Sequence, residues 1–160
     1  TGDLLQGFCF NTQTKEITNQ IKTLLNRVQP IKSFVYSRVF FDPESESPHI
    51  IAKVKPRSNA RPRCGCCGKI RPGYDTPKGT RLFKFVPLWH IPVSISYTMR
   101  RVQCPTCGIR TEKVPWADGK FASCNVFRHF LASWARRLSW KETATCFNTS
   151  WDNVCNSVKW

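Results

Sequence analysis

The sequence predicts an α+β chain: an N-terminal helix, a small β-rich segment pinned by two pairs of cysteines, and a closing unit of three short helices. Three observations predict it. Cys64-Gly65-Cys66-Cys67-Gly68 and Cys104-Pro105-Thr106-Cys107-Gly108 are twin Cys-x-x-Cys-Gly turns with 36 residues between the two pairs. Around and between them, β-branched and aromatic residues alternate with a period of two. Beyond Gly119 the apolar positions shift to helical spacing.

Taken in order, residues 1–13 contain Gly2, Gly7 and the polar run Asn11-Thr12-Gln13, and are expected to be loosely structured. Cys9 within them receives no role. Over residues 15–29, Ile17, Ile21, Leu24, Leu25 and Val28 fall on one helical stripe that Pro30 ends. Residues 34–41 read as a strand and residues 42–48 as a turn. Residues 49–55 form a second strand, with Ile50, Ala52 and Val54 on one side and Ile51, Lys53 and Lys55 on the other. A basic extended linker, residues 56–63, leads to the first cysteine turn. After a loop at 73–80, residues 81–88 and 91–102 read as two strands joined near Trp89-His90. In the second of these, Ile91, Val93, Ile95, Tyr97 and Met99 alternate with Pro92, Ser94, Ser96, Thr98 and Arg100. That hairpin would deliver the second cysteine turn beside the first, a zinc-ribbon-like arrangement. The domain boundaries are then 14–113 for this unit, 114–124 for a connector and 125–160 for the helices.

The chemistry follows from the cysteines. Each turn offers two thiolates with backbone N–H groups aimed at them, and the Gly after the second Cys admits a positive φ. Two such turns build a tetrahedral four-thiolate site, the preference of structural zinc, with Cys64, Cys67, Cys104 and Cys107 as ligands to one ion. Two disulfides, or thiols without metal, are the alternative. Cys66 is a spare, and Cys124, Cys146 and Cys155 are expected to act as small buried hydrophobes. Nine cysteines, an odd count, fit a reducing compartment better than a secreted disulfide scaffold. His49, His90 and His129 are read as turn or surface histidines, since four thiolates already close the site.

The net charge of +15 is unevenly spread. Residues 51–113 hold fourteen basic and two acidic side chains, whereas residues 1–50 hold five of each. Positive charge concentrated on the metal-binding segment is the electrostatic footprint of a nucleic-acid binder, against the plainer alternative of a solvated surface. Membrane association is not expected: no apolar run is long enough to span a bilayer, no signal peptide opens the chain, and no basic amphipathic helix accompanies the charge.

In the last unit, Phe127, Phe130, Leu131, Trp134 and Leu138 mark a first helix and residues 140–147 a second. Asn148-Thr149 is a turn, and Ser150 caps a third helix from Trp151. Ala144, Asn148, Val154 and Val158 stand where a helix-turn-helix needs a close crossing, a left-handed turn and two packing positions. Three small helices without a DNA role are the alternative. If the third helix enters a major groove, Ser150, Trp151, Asn153 and Asn156 face base edges, and Asp152 accepts from a cytosine amine. Arg136, Arg137 and Lys141 then hold the backbone, and Arg100 and Arg101 contact phosphates from the zinc segment. Acidic residues are few and scattered, so the chain is not expected to be an enzyme. The chain begins at Thr1, which implies a processed or cut N-terminus. The third helix reaches Trp160 without a stop signal, which makes the chain the expected front portion of something longer.

These pieces together resemble the N-terminal region of bacterial insertion-sequence transposases of the ISL-three family. The resemblance starts near Ile21 and runs through Leu24-Leu25-Asn26-Arg27-Val28, Phe34-Val35-Tyr36, and Arg61-Pro62-Arg63 with the first cysteine turn. It continues through Arg100-Arg101-Val102-Gln103 with the second turn, Val114-Pro115-Trp116-Ala117, Leu138-Ser139-Trp140-Lys141-Glu142-Thr143-Ala144 and Thr149-Ser150-Trp151-Asp152-Asn153-Val154. It implies a zinc-binding region and a helix-turn-helix ahead of an RNase-H-like catalytic domain with an Asp/Asp/Glu triad, which this sequence lacks. It further implies double-stranded DNA, the element's terminal inverted repeats, as partner, and a bacterial cytoplasmic, nucleoid-associated location. The competing functions are a zinc-stabilised assembly module, self-associating or binding another protein, and an RNA-binding zinc ribbon.

Overall fold

The computed structural model describes residues 3–160, with side chains from residue 15 onward. Helix α1 (Asp3–Val28) opens the chain. It starts well before residue 15, so the segment expected to be loose is helical from residue 3. No proline falls within it, and Gly7 costs a helix interior only about 1 kcal/mol. The Cys9 side chain lies outside the described residues.

Seven strands follow: β1 (Phe34–Phe41), β2 (Ile50–Pro56), β3 (Gly73–Asp75), β4 (Arg81–Leu88), β5 (Ile91–Tyr97), β6 (Arg101–Cys104) and β7 (Gly108–Thr111). They make a four-stranded sheet of order β1-β2-β5-β4 and a three-stranded sheet of order β3-β6-β7. Two hairpins, β1–β2 and β4–β5, are joined side by side through a parallel β2–β5 pairing. Residues 91–102, expected as one strand, divide after Tyr97. The first part is a central strand of the larger sheet and the second part belongs to the cysteine unit. Because β5 is central, Ser94 and Ser96 are buried along with Val93, Ile95 and Tyr97, and both faces are covered. The β4–β5 turn places Trp89 and His90 at φ 48° and 64°, as two-residue hairpins favour. Trp89 itself is 80% exposed.

Helix α1 packs on β1. Of its expected stripe only Ile21 and Leu25 are buried, while Ile17, Leu24 and Val28 are exposed. Contact with one strand covers one line of side chains at i, i+4 spacing and leaves the flanking positions in solvent. Asn26 seals the edge of the sheet. Its Nδ2 donates to Tyr36 O and its Oδ1 accepts from Tyr36 N, both at 3.2 Å, beside the bulge between Tyr36 and Arg38. An open edge is thereby given a partner. Asn26→Ala should lower stability by about 1–3 kcal/mol in urea denaturation, because it strands two main-chain groups. An unchanged midpoint would show that water serves this edge equally well.

Residues 114–124, expected as a connector, are part of the main core. Trp116 meets the rings of Phe34, Tyr97 and Phe83 edge-on at 4.9, 5.3 and 6.0 Å. Val114, Ala117 and Cys124 are buried in the same cluster. The Pro and Gly of this stretch mark turns, yet the indole ring needs burial and finds it under the sheet.

Three helices close the chain: α2 (Asn125–Trp134), α3 (Trp140–Cys146) and α4 (Trp151–Val158). Phe127, Leu131, Ala144 and Val154 form their core. Val158, expected to pack, is 41% exposed, and Ser157 is buried in its stead. Helix α4 is short enough that one turn past Val154 the buried line passes through position 157. The trio is fastened to the sheet where Lys84 N donates to Ala122 O, Cys124 N donates to Lys84 O, and Lys84 Nζ reaches Asn148 O at 3.3 Å. Among the described residues no helix is long and apolar enough to cross a membrane.

Candidate metal centre and nucleic-acid interface

The two cysteine turns meet. The sulfurs of Cys64, Cys67, Cys104 and Cys107 lie within 4.8 Å of one another, and Cys67 Sγ is 3.7 Å from Cys104 Sγ. A tetrahedron with metal–sulfur bonds of about 2.3 Å has edges of about 3.8 Å, so the donor set fits one tetrahedral ion such as zinc. All four are free thiols, as are Cys66, Cys124, Cys146 and Cys155; Cys124 and Cys155 are buried as expected, whereas Cys146, expected to be buried, is exposed at the end of α3. Gly68 and Gly108 take φ 70° and 74°, which closes each turn as the spacing required.

Electrostatics favour the thiolate at Cys64 and Cys104 and disfavour it at Cys107. Amide N–H groups of Cys67 and Cys66 lower the Cys64 thiol. Burial pushes Cys104 up, but N–H groups of Cys107 and Thr106, with neighbouring thiols, outweigh it and bring Cys104 to about 6. Cys107 is pushed up to about 12, first by its hydrogen bond with the Cys66 thiol and then by burial. Arg71 lies against the Cys104 and Cys67 sulfurs. Burial would lower the Arg71 pKa, but the two sulfurs raise it on balance. A cation so placed offsets the double negative charge that four thiolates leave on a divalent ion.

The turns are held together by more than sulfur. Cys64 bridges to Glu112, Gly65 N donates to Thr111 O at 3.1 Å, and Lys113 N donates to Arg63 O at 2.8 Å. A Cβ on Gly65 would stand 2.4 Å from Thr111 O, so only glycine permits this approach. Under them Glu112 accepts from Tyr97 Oη at 2.6 Å, from Arg100 N at 2.8 Å and from the Arg100 guanidinium at 2.8–3.1 Å.

Arg100 and Arg101, both expected at phosphates, are therefore already engaged with protein carboxylates. Arg100 is tied to Glu112, while Arg101 forms a two-pronged pair with Asp75 and lies over the Tyr74 ring. These two pairs use both acidic residues of 51–113. The other twelve basic side chains of that segment have no carboxylate partner.

Over 105 residues this chain is 36% identical to the "Transposase for insertion sequence element IS1557" of Mycobacterium tuberculosis, in both strain CDC 1551 / Oshkosh and strain ATCC 25618 / H37Rv. The chain is distantly homologous to a transposase. The aligned part is 66% of this chain and 23% of each of those proteins, so the chain spans less than a quarter of their length. No protein-family model matches it, and no solved structure matches it.

A tight turn joins α3 to α4 in the helical trio. Asn148 takes φ 46° in the turn, and Thr149 N donates to Ala144 O at 2.9 Å. Ser139 and Glu142 cap α3 reciprocally, and the Ser150 hydroxyl accepts from Asn153 N at the start of α4. The expected contact residues then divide. Trp151, Asp152 and Asn156 are exposed, as are Arg136, Arg137 and Lys141 at the preceding corner. Asn153 is turned inward: its Oδ1 accepts from Ser123 Oγ at 3.0 Å, and its Nδ2 donates to Thr149 Oγ1 at 2.8 Å. Lys159, not singled out from the sequence, is exposed one and two turns along from Asn156 and Asp152. That i, i+4, i+7 spacing was a signal present in the sequence.

Arg128, not singled out from the sequence, is the largest fully buried side chain among the described residues, at 1% exposure. Its guanidinium sits between the rings of Phe121 and Trp160 at 4.2 and 4.3 Å. Its Nη2 donates to Asn156 O at 2.9 Å, which ties the last turn of α4 to α2. Burial lowers its pKa.

Proposed function

We propose that this chain is the zinc-dependent DNA-binding part of a transposase, recognising the terminal inverted repeats of an insertion sequence in DNA transposition. The observation that carries this reading is the segment that holds the thiolate centre: residues 51–113 bear twelve basic side chains without carboxylate partners, ahead of three short helices whose last exposes Asp152, Asn156 and Lys159. Zinc has the structural role, joining the two cysteine turns that carry Arg63, Lys69, Arg71 and Arg110 beside them. Helix α4 lies in a major groove with Asp152, Asn156 and Lys159 toward the bases, while Arg136, Arg137 and Lys141 grip the backbone. Strand cutting is not assigned to this chain. Among the described residues, the four cysteines are the only set of three or more potential metal ligands that converges, and two-metal phosphoryl transfer needs carboxylates.

Fluorescence anisotropy with an element-end duplex and a scrambled duplex, at two salt concentrations, tests the reading. Asn156→Ala should weaken binding to the true end by about 1–3 kcal/mol and leave the scrambled duplex nearly unchanged. Asn153→Ala should weaken both, since it frees α4 from Thr149 and Ser123. Equal losses from both variants on both duplexes would move sequence reading away from α4. Self-assembly is a second reading, favoured by the exposed Ile17, Leu24 and Val28 on α1; sedimentation equilibrium decides it.

A further inference from the structure

A cavity of about 240 Å³ opens where β1, the first cysteine turn and the strand after the second turn come together. Lys32, Arg63 and Lys113 line it above a floor of Phe34 and Val114, with no carboxylate in its wall. These cations come from sequence positions far apart, and all three are exposed without ion-pair partners. Like charges brought together repel unless a scaffold holds them and an anion joins them. The scaffold is on the page. Lys113 N donates to Arg63 O, Arg63 Nη1 donates to Gly68 O at 3.3 Å inside the first turn, and Arg57 N donates to Ser33 O at 3.0 Å. Ser33, at φ 67°, swings the chain so that Lys32 borders the cavity just before β1 begins.

We infer that Lys32, Arg63 and Lys113 form a phosphate-binding site, and that the thiolate centre, by fixing Arg63 next to Lys113, sets its spacing. The inference rests on the DNA-binding reading for its ligand, a backbone phosphodiester. Such a contact carries no base preference, so its loss weakens specific and random duplexes alike. It also lowers the log–log salt slope by about 0.9 per lost contact, which at 0.1 M salt is roughly a 5–10-fold loss of affinity each.

The test compares Lys32→Gln/Lys113→Gln with Lys15→Gln/Lys22→Gln, which removes the same charge from α1. The first variant should bind both duplexes roughly 25–100-fold more weakly at 0.1 M salt, with the slope shallower by about 1.8, and the second should change neither. If the two variants behave alike while the unaltered protein binds DNA, the phosphate site is overturned and the proposed function stands. If the unaltered protein binds no duplex, the proposed function falls. Amide shifts on titrating inorganic tripolyphosphate then decide: shifts centred on Ser33, Arg63 and Lys113 keep the site as one for free polyphosphate, and their absence overturns it.

Discussion

Replacing Cys104 by Ser should abolish stoichiometric zinc binding and unfold the three-stranded sheet. The protein as purified should carry about one zinc per chain by metal analysis, and the variant far less. Structural zinc in small domains supplies on the order of 10–16 kcal/mol of apparent binding energy at neutral pH, and that energy is folding energy. The local alternative is poor. The cluster around the thiolates contains only Val102 as a fully buried aliphatic side chain besides the cysteines. The four-stranded sheet has its own core around Trp116 and should survive, so amide exchange should accelerate in β3, β6 and β7 and much less in β2 and β5. The pH dependence has a definite sign. Ligands bind as thiolates, so falling pH lets protons compete and metal affinity drops. Without metal the surroundings hold Cys104 near 6 and raise Cys107 to about 12, so protons compete more readily at Cys107 than at Cys104. A purified protein free of zinc, or an unchanged thermal transition in the variant, would defeat the expectation.

Glu112→Ala should cost about 3–5 kcal/mol, the usual penalty for leaving one half of a buried ion pair without its partner. The Glu112 side chain is 1% exposed and that of Arg100 20%. The phenol of Tyr97, whose pKa is raised by burial and then by Glu112, loses its acceptor in the same step. Glu112→Gln keeps the shape and some hydrogen bonds and should fall between the two. Urea denaturation measures both, and a loss below about 1 kcal/mol for the Ala variant would mean that water replaces the carboxylate. The same geometry changes what an arginine variant reports. On the proposed DNA-binding reading, Arg100→Ala would weaken binding by loosening the cysteine unit, since its guanidinium is held by Glu112. Its signature is a fall in stability, whereas the Lys32 and Lys113 variants should weaken binding with stability intact.

Much of the molecule was legible in its residues because local chemistry left few alternatives. The Cys-x-x-Cys-Gly turns specify two thiolates and a left-handed glycine wherever they occur, and β1, β4 and the Ser150-capped start of α4 follow from side-chain pattern within each segment. What the sequence by itself determined was therefore the longer strands and helices, the four-sulfur donor set and the imbalance of charge, whereas β3 lies in a stretch expected as a loop and β7 was not expected. The tertiary structure alone decided which groups remain free. The parallel β2–β5 pairing joins hairpins separated by the first cysteine turn, and nothing in either strand's alternation states its neighbour. The division of residues 91–102 between two sheets leaves no mark, since no Gly or Pro stands at the switch. Asn153 and Arg100 look available in the sequence, yet the fold supplies Ser123, Thr149 and Glu112 as their partners. Lys32, Arg63 and Lys113 look unrelated, yet they share one cavity. The reason is physical: propensity and turn chemistry act over a few residues, while hydrogen bonds and Coulomb interactions act between whatever atoms the folded chain brings within a few ångströms.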